Sequence, residues 1–495
     1  MNKRSAGVLL HLSSLPSPYG IGGLGEEARA FVDFLAKSGQ TYWQMLPIGP
    51  TGFGNSPYQS FSAFAGNPYF IDLNELVRDG LLTREECEQP DWGCDETAVD
   101  YEKLYRNRFA LLRVACGRFS ENLPADFTEF CEINRDWLPD YALFMTAKDH
   151  HFGADWSIWE EDLKVRRPET LAAKQEEWGE DIRFYEMMQY LFFRQWKALR
   201  SYASERGIAL IGDIPIYVAA DSADVWSNPG QFALDETLTP VEVAGCPPDA
   251  FCSDGQLWGN PLFRWDVMRE DGYAWWIRRI AHMQQFFDVI RIDHFRGFDS
   301  YFAIPYGAET ARDGVWREGP GMSLFTAIRQ KLGDVEIIAE DLGFLTDSVH
   351  QLLSDSGYPG MKVLQFAFDE RKDNLYQPHN YIRNCVVYTG THDNDTVNGW
   401  MEHAPQGTVD FASEYLRLNS EEGYHWGMIR AAFSSVANLS VVPMQDLLGL
   451  GSEARMNAPS TTEGNWQWRM KKGADSDSLA EKLKDLTRLY GRCFS

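Results

Sequence analysis

Eight short apolar runs recur along this chain, and stretches with helical spacing separate most of them. The runs are AGVLLHL, TYWQMLPI, IALIGDIPIYV, DVIRIDHF, VEIIAEDLG, MKVLQFAFD, CVVYTGTHD and LSVVPMQDL. Runs this short and this apolar read as strands buried on both faces, the kind found in parallel sheets. Between them, Leu24, Ala28, Phe31 and Leu35 fall on one helical face, as do Trp276, Ile280, Met283 and Phe287. Repeated βα units imply a parallel sheet, and eight strands predict an α/β fold of the (β/α)8 TIM barrel type with helical insertions. A doubly wound sheet is the alternative architecture.

The alternation breaks once. From about residue 75 to 180 the strand signal gives way to charged helical sequence such as LTREECEQ, YEKLYRNRFALL and PETLAAKQEEWGED. The expected division is therefore a catalytic barrel of residues 1–75 and 180–495 with a mostly helical insertion at 75–180. The long helical pattern FYEMMQYLFFRQWKALRSYASERG restores the alternation and ends at Gly207, a suitable C-cap. The stretch CPPDAFCSDGQLWGNPLF reads as a long irregular loop.

Charge narrows the partners. A formal net charge of −26 repels nucleic acid and anionic membranes but is indifferent to a neutral ligand. Eight cysteines form no C-x-x-C pair, which reads as reduced, mostly buried thiols in a cytoplasmic protein. The start, MNKRSAGVLLHLSSLP, has an apolar run too short for a signal peptide, and no stretch approaches the roughly 18 apolar residues of a membrane span.

GIGGLG, Gly20 to Gly25, has the G-x-G-x-x-G spacing of a dinucleotide-binding turn. That spacing carries weight only where a strand feeds straight into it and an acidic residue follows about 20 positions on. Here SSLPSPY intervenes, and the sequence 20 residues later is MLPIGP. The loop therefore reads as a glycine-rich connector, with freedom to pass close to something bulky.

Acidic residues end three of the strands. RIDHF places Asp293 at one strand end, IIAEDLG places Glu340 and Asp341 at the next, and TGTHDND places His392 and Asp393 at a later one. In a barrel these ends share the C-terminal face, where active sites lie. Any one such acid reads as easily as a helix cap; Asp341 is expected to be structural and Asp395 to cap the helix starting at Thr396. Carboxylates converging from three strands suit glycosyl transfer, with one attacking the anomeric carbon and another protonating the departing oxygen. At a separation of about 5 Å they act with retention through a covalent glycosyl-enzyme. Arg291 lies two residues before Asp293, on the same side of a strand, where its guanidinium holds Asp293 ionised and aimed. Glu340, beside negative neighbours in a cleft, is expected to keep its proton, and His392 and Asp393 to hold sugar hydroxyls. A metal is the competing use of these residues. DNDTV starts like a calcium loop but lacks the later oxygen ligand and glycine, H-E-x-x-H is absent from the sequence, and no cofactor is expected. A single histidine after a strand, His294, reads as hydrogen-bonded rather than as a ligand or proton shuttle.

Longer strings carry a resemblance: HLSSLPSPYGIGGLG, GNSPYQSFSAFAGNPYFIDL, GDIPIYVA, PPDAFCSDGQLWGNPLF, RIDHFRGF, AEDLG, GTHDNDT, MQDLLGLGSEARMN and GNWQWR, in order and nearly end to end. Together they resemble the amylomaltases, the 4-α-glucanotransferases or disproportionating enzymes of the α-amylase clan. The third strand lacks the clan's usual asparagine–histidine pair after its aspartate, which fits the amylomaltase branch. The resemblance implies Asp293 as nucleophile, Glu340 as acid/base and Asp393 as the carboxylate that stabilises the transition state. It also implies Tyr58, Asp213, Gln256, Trp258, Arg291, Asp369, His392 and Asn457 at the sugar sites, with the stretch around Trp258 folded over the cleft. The partners it implies are maltooligosaccharides and α-1,4-glucans, with glucose as an acceptor. Hydrolysis of the same glucans, non-catalytic glucan binding and nicotinamide chemistry at GIGGLG are the competing functions.

Overall fold

The apolar runs form a barrel because their side chains alternate between its interior and a jacket of helices. The structure, a computed structural model, describes residues 3–52, 54–121, 123–248, 253–343, 345–369, 374–461 and 463–493. Among these residues the strands are β1 (Ser5–Leu9), β2 (Tyr42–Gln44), β3 (Ala209–Ile214), β4 (Glu242–Cys246), β5 (Gln256–Pro261), β6 (Val289–Ile292), β7 (Ser300–Pro305), β8 (Val315–Glu318), β9 (Ile337–Ala339), β10 (Gly360–Val363), β11 (Cys385–Tyr388) and β12 (Leu439–Pro443). Eight of them run parallel in the order β10-β11-β12-β1-β2-β3-β6-β9. The two end strands are stitched by Ala339 N–H donating to Pro359 O at 3.0 Å and Met361 N–H donating to Asp341 Oδ1 at 2.5 Å. Asp341 is structural, as expected.

Alternation of the pleat sorts each strand. Leu9, Ile211, Val289, Ile338, Val363 and Val441 meet inside the barrel, while Val8, Leu210, Ile290, Ile337 and Val442 belong to the outer core beneath the helices. Helices Glu26–Lys37, Gly179–Glu205, Ala274–Phe286, Met322–Leu332 and Asp347–Ser356 supply the crossovers from β1 to β10. Gly207 follows the long helix with φ 72°, the left-handed conformation that ends helices. Between β2 and that helix, seven further α-helices lie among the described residues, from Leu73–Arg78 to Pro168–Glu177. Their core runs unbroken into the barrel's, through contacts such as Trp137 on Phe193 at 5.9 Å and Phe193 on Phe286 at 4.9 Å.

Three details differ from the sequence reading. A third of the expected irregular loop is strand β5, paired antiparallel with β4 in a separate sheet of order β5-β4-β7-β8; residues 249–252 of that stretch lie outside the described residues. Asp395 does not cap the helix Val397–His403. Thr396 does, accepting from Gly399 N–H at 3.1 Å, while Asp395 accepts from Ser452 Oγ at 2.6 Å. The GIGGLG glycines pack closely against other parts of the chain. A Cβ on Gly22 would run into the carbonyl of Leu12, and one on Gly25 into the Asp72 carboxylate. The cysteines described are free thiols; Cys87, Cys116 and Cys385 are buried, whereas Cys94 is exposed. No helix among the described residues is long and apolar enough to cross a membrane.

Candidate active site

Polar side chains replace apolar ones where the inward rows reach the C-terminal ends of the strands. Asp213 on β3 and Arg291 on β6 are register partners, so the same pleat aims both inward. Both are buried, at 2% and 3% exposure, and a buried charge at this depth requires a partner. Arg291 Nη1 donates to Asp213 Oδ2 at 2.5 Å, and Nη2 to Asp293 Oδ1 at 3.0 Å. Tyr58 O–H completes the set by donating to Asp213 Oδ2 at 2.9 Å. Burial alone would favour a neutral guanidine, yet the carboxylates of Asp213 and Asp293 outweigh it and hold Arg291 charged. Burial likewise pushes Asp213 up, opposed mainly by Arg291. A guanidinium fixed between two acids is the stronger base, so the ion pair stays ionised.

Asp293 follows β6 directly, with its side chain 31% exposed. Its backbone N–H still reaches Ile214 O at 2.9 Å, extending the ladder past the strand. The chain then turns through His294 in the left-handed region, at φ 53°, an uncommon conformation for a residue with a side chain. That turn directs the His294 N–H to Glu340 Oε2 at 2.7 Å, while Leu342 N–H donates to Oε1 at 2.7 Å. Glu340, directly after β9, is therefore pinned by two backbone amides, one of them on the peptide that leaves Asp293. Those amides favour the carboxylate, but burial, reinforced by the charge on Asp293, pushes Glu340 up to about 8.

The third acid lies just beyond β11. Asp393 is 45% exposed, and Asn457 Nδ2 donates to its Oδ1 at 2.6 Å. Asn457 N–H also reaches His392 O at 3.0 Å. The His392 ring stacks on Tyr58 at 5.2 Å, which couples this strand end to the Asp213 cluster. On the far side, Gln256 and Trp258 point the same way from β5, with Trp258 Nε1 donating to Gln256 Oε1 at 3.0 Å. Trp258 meets the His294 ring edge-on at 4.8 Å. Asp369 belongs to its own loop, where Asn374 Nδ2 donates to Oδ1 at 3.0 Å.

Sequence reasoning passes over two residues here and understates a third. Trp466 lies 5.9 Å from both Tyr58 and His392, and Arg455 Nη2 donates to Asp393 O at 2.6 Å. Both sit inside quoted strings, but neither carries a periodicity that marks it. His294, expected to be simply hydrogen-bonded, has its ring Nε2 buried without a partner. Its backbone orients Glu340, and burial drives its imidazole down to about 4, leaving the ring neutral. Among the described residues no group of three or more His, Cys, Asp or Glu is placed to hold a metal ion.

The arrangement brings to the C-terminal rim of the barrel a partly exposed carboxylate aimed by a guanidinium, a neighbouring carboxyl that burial favours in its protonated form, and a third, half-exposed acid beyond β11. Comparison with known proteins shows the family. A model of the 4-alpha-glucanotransferase family matches residues 10–475. The chain is 49% identical to a 4-alpha-glucanotransferase of Clostridium butyricum, over 98% of this chain and all of that one. It is 47% identical to that of Thermus thermophilus, over 99% of each. Among solved structures, an amylomaltase from Streptococcus agalactiae in complex with acarbose superposes with TM-score 0.97 at 41% identity, covering 99% of this chain and all of that one.

Proposed function

The chain belongs to the 4-alpha-glucanotransferase family, the amylomaltases, and from that premise we propose how its residues move a segment of α-1,4-glucan. Asp293 is the nucleophile. Its Oδ1 is taken up by Arg291, which leaves Oδ2 to attack C1 of the donor sugar. As that bond forms, the C1–O4 bond breaks, and Glu340 delivers its proton to the departing O4. The product is a glycosyl ester on Asp293. An acceptor's 4-hydroxyl then attacks C1, Glu340 takes its proton, and the ester bond to Asp293 breaks. Two displacements leave the configuration unchanged. Asp393, fixed by Asn457, faces the ring as it gains positive charge, and His392 hydrogen-bonds its hydroxyls.

The observation that carries this reading is the environment of Glu340. A carboxyl held to about 8 by burial and by Asp293 is protonated at neutral pH, while its neighbour Asp293 is clamped to a cation. A carboxyl that keeps its proton, next to a carboxylate held by a guanidinium, supports the first as the acid and the second as the nucleophile. Transfer over hydrolysis follows where the acceptor reaches the ester before water does. Trp258 at the cleft edge supports this by offering a flat apolar face on which an acceptor glucose can stack.

Maltotriose is the test substrate. The wild-type enzyme is expected to give glucose and a ladder of longer chains, whereas maltose and glucose alone would make it a hydrolase. Asp293→Asn is expected to keep substrate binding and lose activity by about a thousandfold or more, since positioning does not replace a nucleophile. Turnover above about a tenth of wild type would overturn the assignment.

A further inference from the structure

Trp258, the proposed acceptor platform, stands on β5, outside the barrel sheet. Two rings rooted in the barrel brace it. Tyr217, just past β3, lies 6.4 Å away and is tilted by 51°. His294, just past β6, meets it at 4.8 Å with the ring planes at 89°. The His294 ring is itself hemmed in: a Cβ on Gly297 would come within 3.1 Å of His294 Cδ2 and 2.7 Å of Ile216 Cδ1. Its Nε2 has no hydrogen-bond partner, so packing rather than a bond holds that end of the ring.

The backbone of the same residue holds the acid/base. At φ 53° the His294 N–H donates to Glu340 Oε2 at 2.7 Å, and the next N–H, of Phe295, donates to Glu340 O at 3.0 Å. We propose that His294 is the positioning residue that sets the acceptor platform against the acid/base, its N–H holding Glu340 and its ring seating Trp258. In the second displacement the acceptor's 4-hydroxyl has to reach Glu340 while its glucose stacks on Trp258. A platform out of register with Glu340 lets water reach the ester first. The inference rests on the roles proposed for Glu340 and Trp258.

Histidine serves both duties. The left-handed region admits Asn, Asp and His more readily than other side chains and all but excludes β-branched ones, while an edge-to-face ring pair is worth up to about tenfold in an equilibrium. Asn therefore keeps the turn and loses the ring, Gly does the same, and Val loses both. Glu340 faces Asp293 and Arg291 and accepts from the amides of His294 and Leu342, and the His294 ring faces Asp293 and Arg296. The His294 amide favours the Glu340 carboxylate, so losing it would raise Glu340 further.

The test follows labelled glucose into longer chains with maltotriose as donor. In His294→Asn and His294→Gly the half-saturating glucose is expected to rise about tenfold, with more hydrolysis per transfer. The basic limb of kcat/KM for maltotriose, which reports the acid of the free enzyme, is expected to stay at its wild-type pH in both. In His294→Val that limb is expected to move to higher pH. Trp258→Ala is expected to raise the half-saturating glucose, and adding His294→Asn to it to raise it no further. Additive effects in the double variant, or wild-type glucose dependence in both His294→Asn and His294→Gly, would overturn the proposal and leave the reading of Trp258 standing. A basic limb displaced in His294→Asn would contradict it as well. Unchanged glucose dependence in Trp258→Ala would overturn the platform reading and this inference together.

Discussion

At the scale of single residues, the site is a set of charges whose surroundings decide their protonation. Part of this was legible in the sequence. The i, i+2 spacing placed Arg291 beside Asp293, and the structure joins them at 3.0 Å. A raised Glu340 was expected from negative neighbours; the structure makes burial the larger cause and Asp293 the smaller. Burial is a property of packing across distant strands, which no local spacing reveals. The same blindness hid Arg455 and Trp466. It also assigned a cap to Asp395 that Thr396 supplies, since either side chain has the chemistry for it and only backbone geometry chooses. Glu340 carries a testable signature in stability. Its folded value near 8 lies above the ordinary 4.5, so the folded protein holds a proton there that the unfolded chain releases. Stability from this group is therefore present below about pH 4.5 and is lost as the pH rises towards 8. Glu340→Gln has no such proton to lose. Its melting temperature is expected to gain on wild type progressively from pH 5 to pH 8, and a difference that stays constant with pH would contradict the assignment.

At the scale of elements, strands were easier to find than their partners. All eight barrel runs are strands because each alternates between two apolar environments. The small sheet was missed because β5, Gln256–Pro261, breaks that pattern: Gln256, Trp258 and Leu257 make neither a uniformly apolar run nor a clean alternation. Its side chains answer to the cleft rather than to a core. The glycine loop shows the converse, a strong local pattern with a different cause. Gly22 and Gly25 let the β1–helix connection pass against the carbonyl of Leu12 and the side chain of Asp72. Gly22→Ala is therefore expected to lower stability by about 2 kcal/mol, because backbone on the other side cannot yield cheaply. Chemical denaturation would measure it, and a neutral substitution would show that the close approach is not what the glycine serves.

At the scale of the whole molecule, the barrel must stay closed for acids from three strands to share one sugar ring. Its far end is secured by Arg492, fully buried, which donates through Nε to Phe433 O at 2.7 Å, through Nη1 to Ser5 O at 2.9 Å and through Nη2 to Ser435 O at 3.1 Å. One guanidinium thus ties the end of helix Tyr424–Ser434 to the start of β1. Arg492→Met would strip these bonds from the barrel end, leaving Phe433 O and Ser435 O to Arg4, which donates to them at 3.1 and 2.7 Å; a loss of roughly 2 kcal/mol in denaturant unfolding is expected, with kcat on the surviving folded enzyme little changed. Equal stability would show that the carbonyls find other donors. Bringing β6, β9 and β11 to one rim is what turns three separate acids into a catalyst, and that claim has a direct test. Glu340→Gln is incubated with α-maltosyl fluoride, whose fluoride leaves without a proton, while the missing base prevents an acceptor from releasing the sugar. Mass spectrometry of the digested protein should find one maltosyl group on the peptide containing Asp293. A maltosyl ester mapped to any other residue, or fluoride released with no ester on the protein, would contradict the mechanism.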